Sequence, residues 1–166
     1  MMKKFRNNGA IGALLDEYEK AILEIKEITG SLTDHELKQI VDKETKDPDC
    51  VSIQSILGHV IRAGYNYVIV IRKSLGEQIE YRTAPAFDTK EEYRNELGEM
   101  FKYNEKLFSD YPDIQLEQYE EAKKIPVRWG QKYDVEQLFE HAIVHLLRHR
   151  RQIERFMIRI RGAEER

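Results

Sequence analysis

One cysteine, Cys50, stands alone in 166 residues. That excludes an intramolecular disulfide and any cysteine-based zinc site, so a metal here must be held by histidine, carboxylate or water. Long apolar runs are missing too. The longest, Tyr67 to Ile71, falls far short of the roughly 20 residues of a membrane span. The basic N-terminal residues Lys3, Lys4 and Arg6 lead into Asn7-Asn8-Gly9 rather than into the apolar core of a secretory signal. A cytoplasmic protein with no membrane partner is expected. Excess charge is also lacking: a net charge of −3 with 34% charged residues gives no general attraction to nucleic acid or acidic lipid. There is no Gly-rich phosphate loop, no G-x-S-x-G and no H-E-x-x-H, because His141 is followed by Ala142.

The chain is rich in helical periodicity. Leu14, Leu15, Tyr18, Ala21, Ile22, Ile25 and Ile28 recur at three and four, and Gly30 stops the segment. Thr33 with Glu36 has capping-box spacing and predicts a short connecting helix through Val41. Residues Lys43 to Cys50, with Pro48, read as a loop. A second long helix spans Ser52 to Gly76. Thr89 and Glu92 cap a third, which ends at Pro112, and Asp134 caps a fourth reaching Arg161. The longest connection, Pro112 to Asp134, leaves room for a short extended piece over Lys124 to Tyr133, with Trp129 as a lid over one bundle end. The expected fold is an all-α four-helix bundle with long inter-helix connections, one domain over residues 1–166. The pattern does not decide its topology.

Three of the five histidines, His141, His145 and His149, lie within nine residues of the fourth helix. A four-residue step advances a helix by about 40°, so consecutive members share a face one turn apart, the spacing of two ligands on one metal. Drawn against the apolar residues Val135, Leu138, Ala142, Ile153, Phe156 and Ile160, His149 points into the core and His145 lies on its inner flank. His141 lies toward the arginines. On the second helix, His59 borders the core on a stripe with Ser55, Arg62, Asn66 and Val70. Facing helices would bring His59, His145 and His149 together as a three-nitrogen site. With no fourth protein ligand, such a site keeps an open position, as catalytic zinc centres do. The plain alternative is packed, hydrogen-bonded imidazoles.

Ile56-Leu57-Gly58-His59 and His141-x-x-x-His145-x-x-x-His149-Arg150-Arg151-Gln152 resemble the DinB/YfiT-like superfamily of four-helix-bundle proteins. That family pairs a second-helix histidine with a fourth-helix H-x-x-x-H-x-x-x-H-R-G-Q motif. The resemblance implies a divalent metal, zinc or nickel most often, on His59, His145 and His149, and membership of a group that includes transferases and isomerases dependent on a low-molecular-weight thiol. The chain departs from the pattern at Arg151, where glycine is usual, and at Arg148, where a further histidine is common. Neither departure removes a ligand, and Arg151 is expected on an outer surface.

Arg148, Arg150, Arg151, Arg155, Arg159 and Arg161 against Glu154 give the fourth helix a local charge of +5. The readings are a solvated face paired with acids of other helices, or a dock for the carboxylates of an anionic thiol or substrate, with Arg148 and Arg155 as candidate cofactor contacts; nucleic-acid binding is a weaker third, since the stripe lacks interleaved aromatics and the overall charge is negative. His141, Gln152, Asn66 and Tyr67 are the candidate catalytic or second-sphere groups. A metal-dependent transferase or hydrolase acting on a small molecule is the first functional reading. Its rivals are a non-catalytic metal-binding or structural bundle and an Arg-helix interaction module. Cys50 is expected to be a small structural hydrophobe. Tyr65, Tyr81, Tyr119 and Tyr133 fall outside the core arcs, which together with the resemblance makes a homodimer the expected assembly.

Overall fold

A computed structural model describes residues 5–164, so the basic pair Lys3 and Lys4 lies outside the described residues. The described chain is predominantly helical: α1 (Gly9–Gly30), α2 (Asp34–Lys38), α3 (Ile53–Ser74), α4 (Lys90–Asp110) and α5 (Val135–Glu164). One small antiparallel ribbon joins β1 (Ile125–Pro126) to β2 (Lys132–Tyr133), with Ile125 opposite Tyr133. No helix among the described residues is long and apolar enough to cross a membrane. Compared with the sequence reading, α1 begins two residues earlier and α5 runs three residues past Arg161. The loop before α3 contains a short 3-10 turn, Pro48–Cys50, started by the Asp47 side chain accepting from the Asp49 N–H.

The helix starts follow from their caps. Thr33 with Glu36, Ser52 with Ser55 and Thr89 with Glu92 form reciprocal capping boxes. At α5 the Gln137 N–H donates to Asp134 Oδ1 at 2.8 Å while the Asp134 N–H donates to Gln137 Oε1 at 3.1 Å. Each cap satisfies backbone donors that a helix start leaves unpaired, a contribution of about 1 kcal/mol.

The apolar stripes of α1, α3, α4 and α5 close on one core, built from Tyr18, Ile25, Ile56, Leu57, Ile69, Tyr93, Leu97, Leu138 and Phe139 among others. Arg6 meets Glu105 while Lys90 reaches the Gly30 and Leu32 carbonyls, so α1 and α4 are antiparallel. Tyr65 packs on Tyr103 and Arg72 pairs with Asp110, so α3 and α4 run parallel. That direction is possible because residues 77–89 return along α3 as a strap. Asn66 pairs with Arg82 through both backbone groups, and Gln54 donates to the Phe87 carbonyl at 2.8 Å. Gly58 lets the strap come close, since a Cβ there would sit 2.8 Å from the Pro85 carbonyl oxygen. α5 lies against both α1 and α3.

The four tyrosines outside the helix core arcs do not all lie on the surface. Tyr65 is buried, its ring in the α3–α4 contact and its hydroxyl donating to Glu96 at 2.8 Å. Tyr81 and Tyr133 are half-buried against the core, and of the four only Tyr119 is exposed. Apolar arcs drawn one helix at a time miss a ring that fills the seam between two helices.

Candidate metal centre

α3 and α5 bring His59, His145 and His149 together, with ligand atoms all within 4.8 Å of one another. His145 Nε2 lies 2.9 Å from His59 Nε2 and 3.2 Å from His149 Nε2. Tetrahedral zinc with Zn–N bonds of about 2.0–2.1 Å holds its nitrogens about 3.3 Å apart; these two separations are within a few tenths of an ångström of that spacing, while the full set of three spreads to within 4.8 Å.

The outer nitrogens decide what faces the centre. His59 Nδ1 lies 3.0 Å from Asp49 Oδ2, and the same carboxylate oxygen accepts from Arg62 at 2.6 Å. Arg62 also approaches His59 Nδ1 at 3.0 Å, but two donors cannot share a bond, and the carboxylate is the acceptor both can use. His149 Nδ1 lies 3.0 Å from Gln152 Oε1, which also accepts from the Cys50 thiol at 3.9 Å. A neutral imidazole has one N–H. With that proton on Nδ1 in His59 and His149, both Nε2 lone pairs point at His145 Nε2, which can donate to only one of them. At least one pair of nitrogens therefore faces without a proton between them, an arrangement a cation at the centre resolves.

Electrostatics keeps His145 and His149 deprotonated. Burial, followed by the neighbouring His149 and His59, lowers the His145 pKa from 6.5 to about 3. Burial, followed by His59, lowers that of His149 to about 4. Charging either imidazole would place a cation in a desolvated site beside other imidazoles. Burial opposes ionisation of Asp49, yet the hydrogen bonds from His59 and Arg62 win and hold its carboxyl below the usual range.

His141 does not join the trio. It stacks on Trp129 with ring centres 5.3 Å apart, and Tyr67 meets it edge-on at 5.3 Å. Trp129 is thus a cover, as expected, but over His141 and Tyr67 on the flank of α3 and α5. The β1–β2 hairpin carries it there, turning at Gly130 with φ +85°. Tyr67, pushed up to about 12 by burial, is a neutral phenol. Burial also raises the Cys50 thiol, so it is not poised as a thiolate.

Two clefts meet at His59 and His145. One, of about 690 Å³, is lined by all three histidines with Cys50, Gln152, Arg148, Arg151 and Arg155. The other, of about 860 Å³, is lined by Tyr67, Trp129, His141 and Asn66 together with the strap. Arg151 is exposed, as expected, and also lines the first cleft. The arginine-rich segment divides: Arg150 pairs with Glu24 and Arg161 with Glu36, whereas Arg148, Arg151 and Arg155 face the first cleft. Asn66 spends its amide on the Arg82 backbone, and Gln152 orients His149. Asp49, Arg62 and Trp129 escaped the sequence reading as site groups; the only advance signal for Asp49 is its place in the polar turn leading into α3. No family model, curated protein or solved structure matches this chain.

Proposed function

We propose that this protein is a metal-dependent enzyme of the DinB/YfiT-like class, a single four-helix-bundle domain holding a divalent cation on His59, His145 and His149. Zinc or nickel suits three imidazoles with an open position. The observation that carries the reading is the set of close Nε2 contacts with both outer tautomers fixed by Asp49 and Gln152. A packed, unliganded trio would leave buried lone pairs opposed at a cost in desolvation.

The reaction proposed is thiol-dependent group transfer or hydrolysis on a small molecule, in the cytoplasm. A bound cation would supply Lewis acidity toward a thiol, water or carbonyl group. Arg148 and Arg155 stand beside the trio without a carboxylate partner among the described residues, placed to hold an anionic thiol by bidentate contacts. Tyr67 can donate a hydrogen bond from the second cleft, and neutral His141 beside it can accept a proton. The test is elemental analysis of untagged protein purified without added metal, followed by zinc and nickel titration. About one equivalent is expected; fewer than about 0.2 equivalents, with no uptake, would reject the site.

A further inference from the structure

The second cleft carries an arginine rim that takes no part in holding a metal. Its floor is apolar and aromatic, with Val70, Val127, Tyr67 and Trp129, and its rim carries Arg82 and Arg128 while no Asp or Glu lines it. Each rim guanidinium is laid over a tyrosine face, Arg82 at 4.6 Å from the Tyr65 ring centre and Arg128 at 4.3 Å from that of Tyr81. Stacking fixes the plane of a guanidinium and leaves its edge N–H donors free. Among the described residues neither makes an ion pair or a side-chain hydrogen bond, although the chain has more acidic than basic residues. The third arginine of the cleft, Arg62, is instead committed to Asp49. A volume of about 860 Å³ is within the ordinary range for a small-molecule site.

We infer that this cleft binds a small organic carboxylate, its charged group held at the Arg82 and Arg128 rim and its flat apolar body against Trp129 and Tyr67. The far end of such a ligand points toward His59 and His145, which also line the cleft. Its role as substrate rests on the metal-dependent reading above; its binding does not. The carboxylate offers the guanidinium edges a planar acceptor, and the rings offer the body an apolar face. A cationic ligand would meet only like charge at the rim.

Trp129 is the chain's only tryptophan, so its emission reports occupancy directly. Three probes of one shape separate the contributions: 3-phenylpropanoate, 3-phenyl-1-propanol and 3-phenylpropylamine, each titrated into the protein as purified and after chelator treatment. The carboxylate is expected to shift the emission saturably and to bind about 10-fold or more tighter than the alcohol, the worth of a charge-assisted hydrogen bond. The amine should give no saturable change, and the preference for the carboxylate should survive the chelator. R82Q/R128Q, with its thermal melt and zinc uptake checked against wild type, should bring carboxylate and alcohol to within about twofold. The exposed single change R128Q should lower carboxylate affinity on its own. Equal binding of the three probes by wild type, or an undiminished carboxylate preference in both variants, overturns the inference. A protein that takes up no metal but keeps the preference sinks only the metal reading.

Discussion

At the scale of single residues, the centre depends on which imidazole nitrogen each neighbour holds. His59→Ala, His145→Ala and His149→Ala should each abolish stoichiometric zinc binding in calorimetric titration, because two nitrogens in an open sphere make a poor site. His141→Ala should keep it, since its ring is engaged with Trp129 and Tyr67. Asp49→Ala should weaken binding by roughly 10- to 100-fold through loss of the His59 tautomer. Retention of zinc by His149→Ala together with its loss in His141→Ala would move the site one turn along α5. The same imidazoles set an acid dependence in the metal-free protein. His145 has its pKa lowered from 6.5 to about 3, so between those values the unfolded chain binds a proton that the folded chain refuses. Stability should then be full above about pH 6.5 and decline as pH falls toward about 3. Denaturant midpoints across that range should slope less steeply for metal-free His145→Ala; an unchanged slope contradicts the burial that lowers the pKa.

At the scale of elements, the strap and the hairpin build the second cleft. The strap lies on α3 where a Cβ at Gly58 would sit 2.8 Å from the Pro85 carbonyl oxygen, and backbone cannot yield as a side chain does. Gly58→Ala should therefore destabilise by about 1–3 kcal/mol in urea unfolding, despite alanine's better helix propensity. Gly98 on α4 is the control. A Cβ there meets only the flexible end of Lys26, at 3.2 Å, so Gly98→Ala should stabilise by about 0.5–1 kcal/mol. Equal effects at the two positions would mean the strap does not bear on α3 as described. Arg72 completes the far end of the same helix, its buried guanidinium bridging Glu77 at 2.8 Å and Asp110 at 2.7 Å. It ties the start of the strap to the end of α4.

For the whole molecule, the proposed metal would be linked to the fold, because His59 comes from α3 and His145 and His149 from α5, and they meet only when both helices are packed on the core. A ligand bound by the folded state alone stabilises it by mass action. A chelator should lower the melting temperature of the wild type and leave that of His145→Ala unchanged; equal shifts would point to metal held elsewhere. The proposed homodimer lost part of its basis when Tyr65 proved to be a core residue. Light scattering at micromolar concentration reads it directly, since a mass near 19.7 kDa would remove it.

Helix positions and the caps at Thr33, Thr89 and Asp134 follow from the sequence alone, because 3.6-residue periodicity and capping side chains are local features, whereas the meeting of His59 with His145 and His149 was conditional on α3 facing α5. The ranking of His145 and His149 above His141 was equally local, being read from one apolar arc. What only the tertiary structure decided is everything that joins distant segments. The parallel course of α3 and α4 depends on a strap with no periodicity of its own, held by Asn66, Gln54 and the space at Gly58. Asp49 reaches His59 only because a 3-10 turn folds back against α3. Trp129 finds His141 through a hairpin whose strands are two residues each. A periodic segment announces the face it buries, but which surface meets that face is set by long-range packing, and no single helix carries that information.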